Sequence, residues 1–339
     1  MTVNLLWLVS AFGGGAFGAA IGGQTAFIFA GFAYLVGLGA MIAGFDTTPL
    51  MDAIVFGPVF GPHIAFAGGV AAAAYAAKKG YMAKGQNGRD IISALAGLGH
   101  ADVLVVGGVT GMVGYLLNQF IVWVLPTITT SHPDMQYGNS VIGSTDTVAL
   151  TITIMAIVAR YMWGSGGLTG SSPLPKLAVG EGKAWVPYME SWGMAAFTGF
   201  YAALMSSFAT VTLLYLFLTP DNNLEGYAQL IGWGLGAVSL LFNSLGMKTP
   251  IIHHTTLIGS IAALRFAPLI AGTSVASQWS TGTMVSATVI GAVAGCLAGL
   301  LGELLARTTC AGADTHIDPP AFTIWIGTTA VYAIAGIAA

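Results

Sequence analysis

Residues 144–152 read STDTVALTI, and residues 316–324 read HIDPPAFTI. Each stretch places an aspartate just ahead of a long apolar run. Asp146 aligns on Asp318 and Thr151 on Thr323. Two further pairs repeat in the same order. VVGGVTGMVGYLL (105–117) aligns with VIGAVAGCLAGLL (289–301), setting Gly107 and Gly111 on Gly291 and Gly295. HIAFAGGVAAA (63–73) aligns with HHTTLIGSIAA (253–263), setting His63 on His253 and Gly69 on Gly259. His254 then falls opposite Ile64 and has no mate. One such match means little in an apolar chain. Three in order predict an internal repeat.

The composition says what is repeated. Of 339 residues only 7% are charged and 55% are hydrophobic, with a mean hydropathy of +0.81. Soluble domains carry about 25% charged residues. The chain therefore reads as an all-α polytopic membrane protein. Apolar runs near the ~20 residues a membrane helix needs fall at 4–22, 25–44, 62–79, 101–125, 145–163, 191–218, 227–246, 250–267, 283–306 and 320–338. That predicts about ten transmembrane helices. PLMDAIVF (49–56), DIISALAGLGH (90–100) and SVASQWSTG (274–282) are too short to span and read as re-entrant or broken helices.

The basic residues test this topology. With the N-terminus outside, Lys78, Lys79, Lys84, Arg89, Arg160, Lys176, Lys183, Lys248 and Arg307 all fall inside, and only Arg265 falls outside. Such a bias follows the positive-inside rule. Five spans per half make the second half enter from the opposite side. The expected organisation is a first repeat over 1–163, a cytoplasmic Gly/Ser/Pro linker over 164–187 and a second, inverted repeat over 188–339. Both termini are expected outside, in the plasma membrane of a prokaryote. No basic segment precedes the first apolar run, so no cleaved signal peptide is expected.

The 48 glycines, in series such as Gly14, Gly18, Gly22 and Gly291, Gly295, Gly299, allow close helix packing within the chain or between copies of a homo-oligomer. The net charge of −3 is spread thinly and excludes a nucleic-acid surface. Cys296 and Cys310 make no disulfide framework.

Ionisable residues at membrane depth are costly and are therefore functional candidates. His63 and His253 each follow a proline at a helix start, and with His254, Thr255 and Thr256 they are expected to line a transport path. Asp146 and Asp318 serve as helix N-caps or as an ion-coupling pair. His100 and Asp102, in GHAD just before the fourth span, have no counterparts in the second half and are further coupling candidates. Glu303 is on the same short list, and Asp52 and Glu190 stand behind it. No HExxH, GxGD, GxSxG or Walker A pattern is present, so neither a zincin, an intramembrane or serine hydrolase, nor a nucleotide hydrolase is expected. No histidine pair shares the depth a haem requires. No metal site and no cofactor are expected.

Five-plus-five inverted repeats resemble the architecture of urea channels, ammonium channels and bile-acid-type sodium symporters. The likeness is one of architecture and carries no residue over. The function it implies, with scarce buried charge and a Gly/Thr/His-rich interior, is a channel or facilitator for a small neutral or weakly charged solute. The alternatives are an H⁺- or Na⁺-coupled secondary transporter using Asp146, Asp318 or Asp102, and a non-transporting membrane subunit.

Overall fold

The computed structural model describes residues 3–125, 145–170, 186–189, 191–219, 222 and 224–338. Glu190 and most of the expected linker lie outside these. Ten helices of 14 residues or more make up the described chain. The first half holds α1 (Leu5–Ile21), α2 (Gly23–Ile42), α3 (Ala65–Lys78), α4 (Ala101–Val124) and α5 (Thr147–Trp163). The second holds α6 (Trp192–Phe217), α7 (Ile231–Ser244), α8 (His253–Ala271), α9 (Thr281–Leu305) and α10 (Pro319–Ala338). The one β-type pairing among the described residues is the Gly88–Thr315 bridge.

Six helical stretches are long and apolar enough to cross a membrane: Gly23–Ile42, Ala101–Val124, Trp192–Phe217, His253–Ala271, Thr281–Cys310 and Pro319–Ala338. They mark an integral membrane protein. Leu5–Ile21 and Thr147–Trp163 are apolar but shorter. The apolar runs at 62–79 and 227–246 differ from expectation, being continuous helix only over 65–78 and 231–244. At 1.5 Å per residue, 14 residues cover about 21 Å, less than the ~30 Å apolar core of a bilayer. Both are broken at their N-terminal ends. Turns over 57–64 precede α3, and a five-residue helical turn, Leu224–Ala228, precedes α7. The short segments expected between spans are also broken pieces. They form a π-helical turn at Met51–Val55 and 3₁₀ turns at Leu95–Leu98 and Ala276–Gln278.

Helix starts are set by capping side chains. Asn4, Asp146, Ser191 and Ser280 each accept from a backbone N–H three residues on. Asp318 accepts from Ala321 N at 2.7 Å, and Pro319 and Pro320 supply the first turn of α10, where a missing N–H costs nothing.

The two halves pack alike. Helices α1, α3 and α4 form a tight trio flanked by α5, and α6, α8 and α9 form the matching trio flanked by α10. Glycine makes both possible. A side chain on Gly15 would run into the Gly107 carbonyl, and one on Gly199 into the Gly295 carbonyl. Gly111 lies against the Ala11 carbonyl, and Gly299 against the Ala195 carbonyl. The equivalent glycines are thus Gly107 with Gly295 and Gly111 with Gly299, one helical turn away from the sequence alignment. Outside the trios, Val105, Val109 and Val113 form an exposed stripe on α4, as Val289, Val293 and Leu297 do on α9. Apolar stripes of this kind face lipid or another copy of the chain.

The halves meet where α2 crosses α7 and α5 lies against α10. Gly31 faces Gly234 and Ala237 at the first crossing. The largest buried apolar cluster surrounds this seam. At one end, Arg160 of α5 donates to the carbonyls of Thr309, Thr315 and Leu168 at 2.6, 2.6 and 2.9 Å and to Thr315 Oγ1 at 2.7 Å. Arg89 donates to the Ala311 carbonyl at 2.6 Å. The chain joining α9 to α10 is therefore held by two arginines from the first half. The C-terminal end of α5 sits at the N-terminal end of α10, so these two helices run antiparallel.

Candidate functional site

A cavity of about 240 Å³ lies on the seam between the halves. Its wall is built twice. From the first half come Gln24 and Phe27 of α2, Pro62 and Phe66 at α3, and Asp146, Val148, Ala149 and Ile152 at α5. From the second come Tyr227 and Leu230 ahead of α7, His253 and Leu257 of α8, and Asp318, Pro320, Ala321 and Ile324 at α10. The spacing within these two sets is the same in both halves, and Phe56, Ile91, Trp233, Leu240, Ile251 and His316 complete the wall without counterparts in it. Asp146 and Asp318 are therefore equivalent, as the sequence alignment had them. Because α5 and α10 are antiparallel, the two carboxylates begin from opposite ends of the seam.

The histidine alignment needs correction by one residue. Pro62 and Phe66 take the places of His253 and Leu257 in the wall. His63 instead matches His254: the His63 carbonyl fills the space beside Gly114, and the His254 ring fills the space beside Gly302. Gly114 and Gly302 stand in the same one-turn register as the other glycine pairs. His63 is buried and does not line the main cavity.

The chemistry of the wall is uneven. At the α10 end, His316 Nε2 donates to Asp318 Oδ1 at 3.0 Å, while Asp318 Oδ2 caps α10. Cys310 Sγ stands 3.6 Å from Nδ1 of the same ring. The His253 ring packs 4.9 Å from Phe27. Gln24 donates to Ser244 Oγ at 2.9 Å, tying α2 to the end of α7. At the α5 end, Asp146 Oδ1 accepts from Ala149 N at 2.8 Å. No histidine, lysine or arginine pairs with it among the described residues. Between the ends runs an aromatic belt. Phe27 meets Trp233 at 5.3 Å, Phe56 meets Trp233 at 5.5 Å, and Phe27 meets Phe66 at 5.9 Å.

A second, smaller cavity of about 50 Å³ adjoins the first, with Ile251 and Pro320 common to both walls. His254, Thr198 and Glu303 line it. Glu303 also accepts from Arg307 Nε at 2.6 Å. Adjacent residues of a helix point about 100° apart, so His253 faces one cavity and His254 the other, with ring centroids 5.9 Å apart. Nδ1 of His63, of His253 and of His254 has no hydrogen-bond partner among the described residues.

The remaining sequence candidates lie elsewhere or are already engaged. Thr255 and Thr256 are buried and donate back to the Ile252 carbonyl at 2.9 and 3.0 Å. Thr255 reaches only the small cavity. Asp102 accepts from Tyr75 Oη at 2.8 Å, and His100 stacks on Tyr81 at 3.6 Å. Both sit within the first half, outside the seam cavity. Asp52 accepts from Tyr227 Oη at 2.9 Å. His316 was not among the sequence candidates, although it stands in the repeat segment HIDPPAFTI. Its signal was the histidine two residues ahead of a capping aspartate. Among the described residues, no three histidine, cysteine, aspartate or glutamate side chains are placed to hold a metal ion.

Comparison with known proteins bears on the duplication. No curated protein and no solved structure matches the chain. A family described as a family of unknown function, DUF7973, matches it twice in tandem, over residues 1–179 and 170–339. The chain belongs to that family and carries its unit as a duplicated domain.

Proposed function

We propose that this protein is a secondary transporter, coupled to protons, that carries a small solute through the seam between two inverted five-helix repeats. One observation carries the reading. The seam cavity is walled by equivalent residues from both halves, with a carboxylate from each. In inverted-repeat transporters the solute site lies at such a seam, and the two halves exchange roles as access alternates. Asp146, which pairs with no histidine, lysine or arginine among the described residues, is suited to take up and release a proton beside the solute, while Asp318 is held by His316. His254 and Glu303 in the adjoining cavity extend the polar path toward the end where Arg89, Arg160 and Arg307 gather. On this topology that end is cytoplasmic, both termini are outside, and the short helices α3 and α7 cross as broken spans.

The channel reading rested on scarce buried charge and a Gly/Thr/His-rich interior. Thr255 and Thr256 spend their hydroxyls on their own helix, and Gly15, Gly107, Gly111, Gly199, Gly295 and Gly299 are occupied in helix contacts. This favours a coupled site over an open polar pore.

The test is solute uptake into proteoliposomes with an imposed pH gradient, an imposed Na⁺ gradient, or neither. Accumulation driven by the pH gradient and abolished in a folded Asp146→Asn variant is expected. Flux that only equilibrates, with no dependence on either gradient, would overturn coupling and restore the channel.

A further inference from the structure

The two equivalent aspartates differ in what meets them. Asp318 has His316 at 3.0 Å. At the matching position of the first repeat the residue is Ser144. Asp146 has its own helix's first turn, through Ala149 N at 2.8 Å, and its backbone N–H donates to Thr328 Oγ1 at 3.1 Å. A carboxylate turned into a largely apolar cavity with no histidine, lysine or arginine paired to it among the described residues is expensive, and it calls for a proton or a cationic partner. The rest of that cavity suits an organic cation. Phe27, Phe56, Phe66 and Trp233 form a continuous belt on its wall. Aromatic faces attract ammonium groups, Trp most strongly. No lysine or arginine lines the wall among the described residues. At about 240 Å³ the cavity is smaller than the pockets of drug-sized ligands, about 300–1,000 Å³, so the ligand is compact.

We infer that the seam cavity binds a small organic cation, an amine with an apolar or aromatic body, its ammonium group paired with Asp146 and its body held by the Phe27–Trp233 belt. This rests on the transport reading and names its solute class. It also gives the exchange a balance. When the ammonium enters, the Asp146 carboxyl gives its proton to water. When the ammonium leaves, the carboxylate takes a proton back. One positive charge is exchanged for another across the same oxygen atoms.

The experiment measures binding to the purified full-length protein in lipid nanodiscs by calorimetry, with benzylamine, benzyl alcohol and benzoate as probes. These share a ring and differ in charge. Benzylamine is expected to bind about ten-fold or more tighter than benzyl alcohol, one ion pair or cation–π contact being worth that much. Benzoate is expected to bind more weakly than either. Asp146→Asn should bring the amine to the affinity of the alcohol, and Trp233→Leu should weaken it several-fold. Acidification should weaken amine binding competitively. Equal affinity for all three probes would overturn the inference. So would undiminished amine binding in a folded Asp146→Asn variant. The comparison of probes on the unaltered protein decides the matter even where a variant fails to fold. Selective amine binding without pH-driven flux would sink the transport reading and leave the site. Driven flux of an anion alone would do the reverse.

Discussion

Replacing each aspartate by asparagine should give opposite results at two equivalent positions. Asparagine caps a helix about as well as aspartate, so the bonds from Ala149 N and Ala321 N survive either change. What differs is the second partner. At Asp318 the substitution replaces a charge-assisted bond from His316, worth about 1.5–3 kcal/mol, with a neutral one of about 1 kcal/mol. His316 is 1% exposed, so water does not compensate. The expected loss is about 0.5–2 kcal/mol. At Asp146 there is no ionic partner among the described residues to lose, and the change removes a charge held against an apolar wall. The expected result lies between no loss and a gain of about 1 kcal/mol. Denaturant unfolding of the two variants and the parent, under one detergent condition, measures both. The double variant His316→Ala/Asp318→Asn should cost less than the sum of its parts by about 1 kcal/mol or more. Equal losses at Asp146 and Asp318, or additivity within about 0.5 kcal/mol, would refute the reasoning.

Three further outcomes follow from the packing. Gly15→Ala and Gly199→Ala each drive a methyl into a facing carbonyl and should cut the yield of folded protein sharply. Gly13→Ala, which meets nothing within 4 Å, should be neutral or stabilise slightly, and size-exclusion profiles of the three separate the cases. Arg160→Lys supplies a single ammonium where a fixed fork satisfies three carbonyls and a hydroxyl. It should cost about 3 kcal/mol or more and expose the chain between α9 and α10 to protease. Single cysteines in place of Lys84 and Thr273, in a chain lacking Cys296 and Cys310, should differ with an impermeant maleimide: the one at 273 labelled on intact cells, the one at 84 only after permeabilisation. Labelling of both from one side would refute the inverted arrangement.

Where the helices lie was legible in the sequence because apolar runs and caps are local signals. Asp146 and Asp318 could be aligned because the cap and the threonine five residues on leave only one register. The glycine pairs could not be. Gly107 and Gly111 face a series at Gly291, Gly295 and Gly299, and a pattern that repeats every four residues fits equally well after a slip of one turn. Only the facing carbonyls of Gly15 and Gly199 choose between the fits. The histidines misled in another way. Matching His63 to His253 maximised identity, but the cavity wall selects on direction, and Pro62 is what points where His253 points. Helices α3 and α7 were read too long because their apolar composition continues through turns that break the hydrogen-bond ladder. His316 was passed over because it precedes the apolar run, outside any span, and only the fold brings it against Asp318 and under Phe66.

The seam cavity is one place where the two halves depart from two-fold symmetry in their chemistry. The helix trios, the glycine contacts and the apolar wall repeat closely across the halves, as they must if each half is to take the other's role when the seam opens from either side. A duplicated unit gives that symmetry at the outset. It also begins with two identical sites, whereas an exchange needs one binding group that competes between solute and proton. At the cavity, Asp318 has His316 while Asp146 pairs with no histidine among the described residues, and His253 stands where the first half has Pro62, so the equivalence is lost there. The partnered aspartate becomes part of a buried network, and the unpartnered one is left to ligands. Giving Asp146 a partner by Ser144→His should therefore weaken amine binding at the seam while leaving the helix packing intact. Calorimetry with benzylamine reads the first effect and unfolding the second. Undiminished binding in that variant would mean that the asymmetry is incidental to recognition.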